Sequence, residues 1–175
     1  MTDTDRIAIL GGTFTPIHSG HRALFHAAFQ TASHDGAAGD DGHVVVGLTS
    51  ADLAKRTRSD PSHAAQLGSF AERHERIDAE LDRIAAAYTA SYDIVELDDP
   101  LGPAATRTDL NALVVSPEAK AQQRADELNR RRTAEGRSPL EIHTPPFVVA
   151  EDGDRISSTR IRNGEIDVHG RLLDE

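Results

Sequence analysis

Apolar residues fall along this chain in two rhythms. Continuous runs occur at residues 7–10 (IAIL), 43–48 (HVVVGL) and 112–115 (ALVV), and residues 92–97 (YDIVEL) read as a further strand. Runs without polar alternation point to strands covered on both faces, as in a parallel sheet. Between them the spacing is helical. Leu67, Phe70, Ile77, Leu81 and Ile84 recur across residues 66–88 with Glu, Asp and Arg between them, the mark of an amphipathic helix. A first helix is expected to begin near Ile17. Ser116-Pro117-Glu118 offers a Ser cap and a proline in the first turn, which predicts a helix to about Ala134 that stops at Gly136. Residues 140–143 and 146–149 read as strand or extended chain. After the turn EDGD, the stretch ISSTRIRNGEI opens a last short helix.

Strands alternating with helices predict an α/β fold with a parallel sheet and right-handed crossovers. No repeat or second core divides the chain, so residues 1–175 are expected to form a single domain. In such sheets ligands bind beyond the carboxyl ends of the strands. Four segments follow strands: the glycines at 11–12, residues 49–55, the DDPLGPA loop at 98–104, and Ser116. They are predicted to meet at one edge. Residues 33–42 (SHDGAAGDDG) read as a long solvated loop, and residues 49–61 (TSADLAKRTRSDP) as a polar segment.

Composition narrows the chemistry. No apolar run is long enough to span a membrane, and MTDTDR is no signal peptide. The absence of cysteine excludes disulfides, thiolate metal sites and a cysteine nucleophile, and fits a cytoplasmic enzyme. A net charge of −10 argues against a general nucleic-acid binder, whose affinity comes from cationic contacts to phosphates. Lys55 and Lys120 are the two lysines, and every other basic residue apart from histidine is arginine. This Asp-rich, Lys-poor surface resembles proteins adapted to high salt, where screening suppresses self-repulsion. Equal stability in low and in multimolar salt would contradict that expectation.

Three places carry candidate chemistry. The first run enters Gly11-Gly12-Thr13-Phe14, and His18 and His21 stand at the mouth of the following helix. A strand that turns through glycine into a helix N-terminus presents free N–H groups and the positive end of a dipole to an anion. Gly20, between the histidines, reads as room for a ligand against the backbone. Among nine histidines an H-x-x-H pair arises readily by chance, and no third ligand of obvious spacing supports a metal site. The glycines match neither G-x-G-x-x-G nor a loop ending in G-K-[ST]. The second place is Ser157-Ser158-Thr159-Arg160, where hydroxyls at a helix start can cap N–H groups or hold an anion, with Arg160 or Arg162 clamping phosphate oxygens. The third is Lys55. A lysine after a strand is ordinarily solvated, but one kept in a chain with two lysines is a candidate cation.

Together, GGTFTPIHSGH and ISSTRIR resemble the motifs of the HxGH/ISSTxI nucleotidyltransferase superfamily. VVVGLTSADLAKRTR, DDPLGPA, LNALVVSPE and PLEIHTPPFVVAEDGDRISSTRIRNGEID are most similar to the archaeal-type phosphopantetheine adenylyltransferases. The resemblance implies a Rossmann-like nucleotidyltransferase fold, with a parallel sheet of about five strands and helices on both faces. It implies transfer of AMP from ATP to 4′-phosphopantetheine, giving dephospho-CoA and pyrophosphate, with Mg²⁺ held through the ATP phosphates rather than by protein ligands. Carried onto this chain, His21 would stabilise charge on the transferred group, His18 would contact the nucleotide phosphates, and Lys55 would bridge the reacting phosphates. Gly12, Thr13 and Phe14 would hold the acceptor or α-phosphate. Ser157, Ser158, Thr159 and Arg160 would hold the β- and γ-phosphates, and Ser116 would lie beside the nucleotide. ATP and 4′-phosphopantetheine are the expected partners, with neither nucleic acid nor membrane. Thr15 stands where the family usually has Asp. Nicotinamide mononucleotide adenylyltransferase is the nearest alternative, and a nucleotide-binding sensor without catalysis is another.

Overall fold

The computed structural model describes residues 6–33, 42–57 and 61–174. The expected acidic loop at 33–42 lies almost wholly outside the described residues. Five strands, β1 (Ile7–Gly12), β2 (His43–Thr49), β3 (Ser91–Leu97), β4 (Ala112–Val114) and β5 (Glu141–His143), form one sheet in the order β3-β2-β1-β4-β5. Every pairing is parallel, with Ile9 opposite Val45 on one side and Leu113 on the other. The unbroken apolar runs of β1 and β2 follow from this, because both faces of the inner sheet are covered, whereas the edge strand β3 is partly exposed and carries Asp93 and Glu96.

Side chains alternate across a strand, so each run divides between two cores. Ala8, Leu10, Val44 and Val46 pack with Phe25 and Phe29 of α1 (Ser19–Ala32) and with Ile77, Leu81 and Ile84 of α4 (Phe70–Ala85). Ile9 and Val45 face the other way. They meet Leu128 of α5 (Ala119–Ala134) and Ala104 and Ala105 of a 3₁₀ turn at Gly102–Ala105. Arg132, fully buried, ties that turn to α5 by donating to the carbonyls of Ala104, Arg107 and Ser138 at 2.6–2.8 Å. It thereby holds the DDPLGPA loop against the sheet.

Several boundaries differ from expectation, each for a local reason. The polar segment at 49–61 holds α2 (Ala51–Thr57), which starts after Ser50 accepts the Leu53 N–H on its hydroxyl, and α3 begins at Pro61 (Pro61–Ala65). The helix expected across 66–88 starts only at Phe70. Gly68 sits at φ +74° and Ser69 closes a capping box with Glu72, so the buried Leu67 lies outside the helix despite its spacing. Ser116 does not cap α5. Its Oγ accepts the Glu118 N–H at 3.2 Å in a short turn, and Glu118 is the N-cap without a side-chain capping bond. Gly136, at φ +76°, does end α5, with the Arg137 N–H returning to the Arg132 carbonyl. Residues 146–149 add no strand to the sheet, and Val149 forms an isolated bridge with Arg155.

Candidate active site

The chain leaves β1 at the carboxyl edge of the sheet through Gly11 and Gly12. Phe14 then adopts φ +50°, a left-handed conformation unfavourable for a large side chain. Burial of its ring holds it there: the ring packs on Phe25 and meets His21 edge-on, with centroids 5.1 and 5.3 Å away. A Cβ on Gly12 would stand 3.0 Å from that ring, which leaves little space for any residue but glycine. Thr13 Oγ1 accepts a hydrogen bond from Thr49 Oγ1 at 3.1 Å, joining the ends of β1 and β2.

His18 is the N-cap of α1 and accepts the Gly20 N–H on Nδ1 at 3.1 Å. A Cβ on Gly20 would approach the His18 ring to 2.9 Å. The glycine therefore makes room for the imidazole, and it also lines the polar cavity where His18 and His21 meet Ser157 to Thr159. With Nδ1 accepting, the proton of the neutral ring is on Nε2, which is left to donate. Burial, with the charges of Arg22, Arg155 and Arg162 behind it, lowers the His18 pKa to about 4. His21 stacks on His18 with ring centroids 3.7 Å apart. Burial and then the neighbouring His18 push its pKa well below the ordinary value. The Pro16 carbonyl pulls the other way without a normal hydrogen bond to Nδ1. Both rings are neutral at pH 7, and an incoming polyphosphate would supply the charge that favours protonation.

The second motif forms α6 (Ser158–Arg162), capped by Ser157, whose Oγ accepts the Arg160 N–H at 3.3 Å. Arg162 Nη1 donates to the Thr15 carbonyl at 3.1 Å, tying this helix to the turn after β1. The Thr15 hydroxyl donates to the Thr13 carbonyl at 3.3 Å. The position thus braces its own turn.

Two cavities meet at Gly11, Gly12, Leu24, Ser116 and Glu118. One, of about 300 Å³, brings together Phe14, His18, His21, Ser157, Ser158 and Thr159 from the two ends of the chain. The other, of about 470 Å³, lies over the sheet edge and is largely aliphatic, walled by Leu53, Leu97, Leu101, Ala121, Ala125 and Leu128. Thr13 lines the second cavity. Lys55 and Arg160 line neither. Lys55 is exposed on α2, and Arg160 is engaged by Asp152, Glu165 and the Arg155 carbonyl. Sequence reasoning missed Arg155 and Glu118 in the first cavity and Thr49, Thr57 and Arg124 in the second. Arg155, adjoining the ISST stretch, was the one with a local signal. Among the described residues no group of three or more His, Asp or Glu is placed to hold a metal ion, and no helix is long and apolar enough to cross a membrane.

Comparison with known proteins bears on this arrangement. A phosphopantetheine adenylyltransferase of Methanosarcina acetivorans is 37% identical over 166 residues, 95% of each chain. The protein of that name from Archaeoglobus fulgidus is 34% identical, covering 94% of this chain and 97% of its own. Among solved structures, an A. fulgidus protein of unknown function superposes with a TM-score of 0.59 at 25% identity, covering 79% of this chain and 96% of that one. A tyrosyl-tRNA synthetase from the same organism also reaches 0.59, at 14% identity over 91% of this chain and 60% of its own, and shares the fold alone. The cytidylyltransferase-like family profile spans residues 9–164, from β1 through α6. Both motifs, both cavities and the sheet that carries them fall within that match, and the chain belongs to the cytidylyltransferase-like family.

Proposed function

We propose that this chain is an adenylyltransferase that moves AMP from ATP to 4′-phosphopantetheine, giving dephospho-CoA and pyrophosphate. The observation that carries the reading is the meeting of His18 and His21 with Ser157, Ser158 and Thr159 in one cavity, beside an aliphatic cavity that shares its glycine ridge. Relatives named for this activity match over nearly the whole chain. The polar cavity takes the nucleotide phosphates, and the aliphatic one takes the pantetheine arm. The reacting phosphates then lie at the shared edge of Gly11, Gly12 and Ser116.

An oxygen of the acceptor phosphate attacks the α-phosphorus in line. One P–O bond forms, the bond to the bridging oxygen breaks, and pyrophosphate carries away the electron pair. No covalent enzyme intermediate is needed, so the protein acts by position and charge. Nε2–H of His18 donates to the nucleotide phosphates and His21 to the transferred group. The hydroxyls of Ser157, Ser158 and Thr159 hold the β- and γ-phosphates, Thr13 and the Phe14 backbone hold the acceptor or α-phosphate, and Ser116 lies beside the nucleotide. Among the described residues Glu118 is the one carboxylate lining the two cavities, too few oxygen ligands for a protein-built divalent site. Mg²⁺ fits as an ion carried on the phosphates, where it neutralises their charge. Lys55, exposed on α2, and Arg160, engaged by Asp152 and Glu165, line neither cavity in this structure.

The test supplies purified protein with ATP and Mg²⁺ at high salt, offers 4′-phosphopantetheine or nicotinamide mononucleotide, and measures pyrophosphate. Release with the first acceptor is expected. Release with only the second would assign the chain to the other acceptor, and ATP binding without release from either would make it a sensor.

A further inference from the structure

A cavity that receives a polyphosphate needs positive charge, and this one has little. Both imidazoles are held neutral, Arg160 is engaged elsewhere, Arg162 reaches back to the Thr15 carbonyl, and Lys55 lies outside. Among the described residues lining the cavity, Arg155 is the one permanently charged cation. Its guanidinium is paired with the carboxylate of Glu118, which arrives from the N-terminus of α5. Resting on the adenylyl-transfer reading, we propose that Arg155 receives the nucleotide's phosphates, and that Glu118 holds it across the cavity until they arrive.

The surroundings suit such an exchange. The Arg155 backbone is fixed on two sides: it bridges Val149, and its carbonyl accepts Arg160 Nη1 at 3.1 Å. Only the side chain is free to swing. Glu118 makes no side-chain capping bond to α5, so its carboxylate can let go without loosening the helix. Both side chains are close to half exposed, at 45% and 46%. Such a pair is weak in water and screened by salt. Several phosphate oxygens in fork geometry offer the guanidinium more than one carboxylate does. The Arg155 charge already reaches His18, where it ranks after burial and Arg22 in keeping that ring neutral. Phosphates drawn to Arg155 would therefore come to rest beside both imidazoles.

A bond that merely pins two loops and a bond that exchanges partners predict opposite results. ATP binding in the presence of Mg²⁺ is measured by calorimetry on the full chain, with the melting temperature recorded alongside. Arg155→Gln is expected to weaken binding about tenfold or more, and Glu118→Gln to tighten it about threefold by removing the competitor. In the Arg155→Gln/Glu118→Gln double variant the gain should vanish, because it acts through Arg155. Both side chains are half exposed, so melting should shift little. Three outcomes overturn the exchange: unchanged binding in Arg155→Gln, weakened binding in Glu118→Gln, or a gain that persists in the double variant. If the wild-type protein binds ATP normally while Arg155→Gln is unaffected, this inference alone fails. If the wild-type protein binds no ATP, the adenylyl-transfer reading fails and the exchange falls with it.

Discussion

The two cavities share a glycine ridge and differ in almost everything else. The polar one carries its histidines and hydroxyls on two short stretches from opposite ends of the chain, with residues 116–118 and 145–148 closing it, and its histidines are held by hydrogen bonding and ring stacking. The aliphatic one is made by strand ends, α2, the 3₁₀ turn and α5. Its walls are continuous with the core, where Ile9 and Leu128 pack together. The first cavity depends on a few specific atoms. The second depends on shape, which many residues set together. Damage to the first should appear as lost chemistry or lost charge control, and damage to the second as lost recognition of one substrate.

The largest effect is expected at His21. His21→Ala should lower kcat by about 10²–10³, or about 3–4 kcal/mol of transition-state stabilisation, with a smaller change in acceptor KM. Steady-state kinetics with each substrate varied in turn checks this, and activity within a few-fold of wild type would remove His21 from the reaction. Next comes acid sensitivity. The folded-state pKa of His18 is about 4, below its ordinary value of 6.5, so the unfolded chain binds the extra proton between those limits. The stabilisation is complete above about pH 6.5 and is lost as pH falls towards 4. On the order of 2–3 kcal/mol should disappear over that window. His18→Asn, which can still cap α1, should flatten that part of the slope in urea titrations at stepped pH. A steep slope left intact in the variant would place the acid sensitivity elsewhere.

On the aliphatic side, Ala121→Phe places a ring in the wall that Ala121 shares with Leu101 and Leu128. It should raise acceptor KM by about 10–30-fold, the scale of filling an apolar subsite, while ATP affinity and the acid profile stay as in wild type. An equal rise in KM for ATP would mean that the cavities are not separate subsites. The smallest effect is expected at Lys55. The exposed side chain lines neither cavity, so Lys55→Ala should change kcat/KM by less than about threefold. A hundredfold loss would show that α2 moves during turnover and carries the lysine inward.

The same contrast explains what could be read from the sequence. That His18 and His21 would meet Ser157 to Thr159 in one cavity was legible because each group lies on a contiguous stretch that keeps its signature in local order. The parallel sheet was legible too, since burial on both faces writes itself as unbroken runs such as 43–48. The aliphatic cavity was not legible. Leu97, Leu113 and Ala125 look like any core residues, and only the fold decides that they border empty space. The surroundings of Arg160 were not legible either, nor was the exposure of Lys55 on α2. A cation at a plausible spacing says nothing of the carboxylates that tertiary structure sets beside it, as Asp152 and Glu165 stand beside Arg160. Leu67 kept helical spacing but lost its helix to the capping box at Ser69.

The bond from Arg162 to the Thr15 carbonyl spans 147 positions. Seen as a matter of timing, it makes activity the last property the molecule acquires. A chain emerging during synthesis can assemble β1, α1 and β2 while α6 is still to come, and in that interval it has a scaffold without a nucleotide site. The sequence separation also sets the order of loss. α6 is five residues long and none of its residues is buried, whereas β2 is an interior strand, paired on both sides by β1 and β3. Mild denaturant should therefore detach the C-terminal segment first. Catalysis should fade at lower urea than the circular-dichroism signal of the sheet, making enzymatic activity a stricter report of the complete fold than spectroscopy.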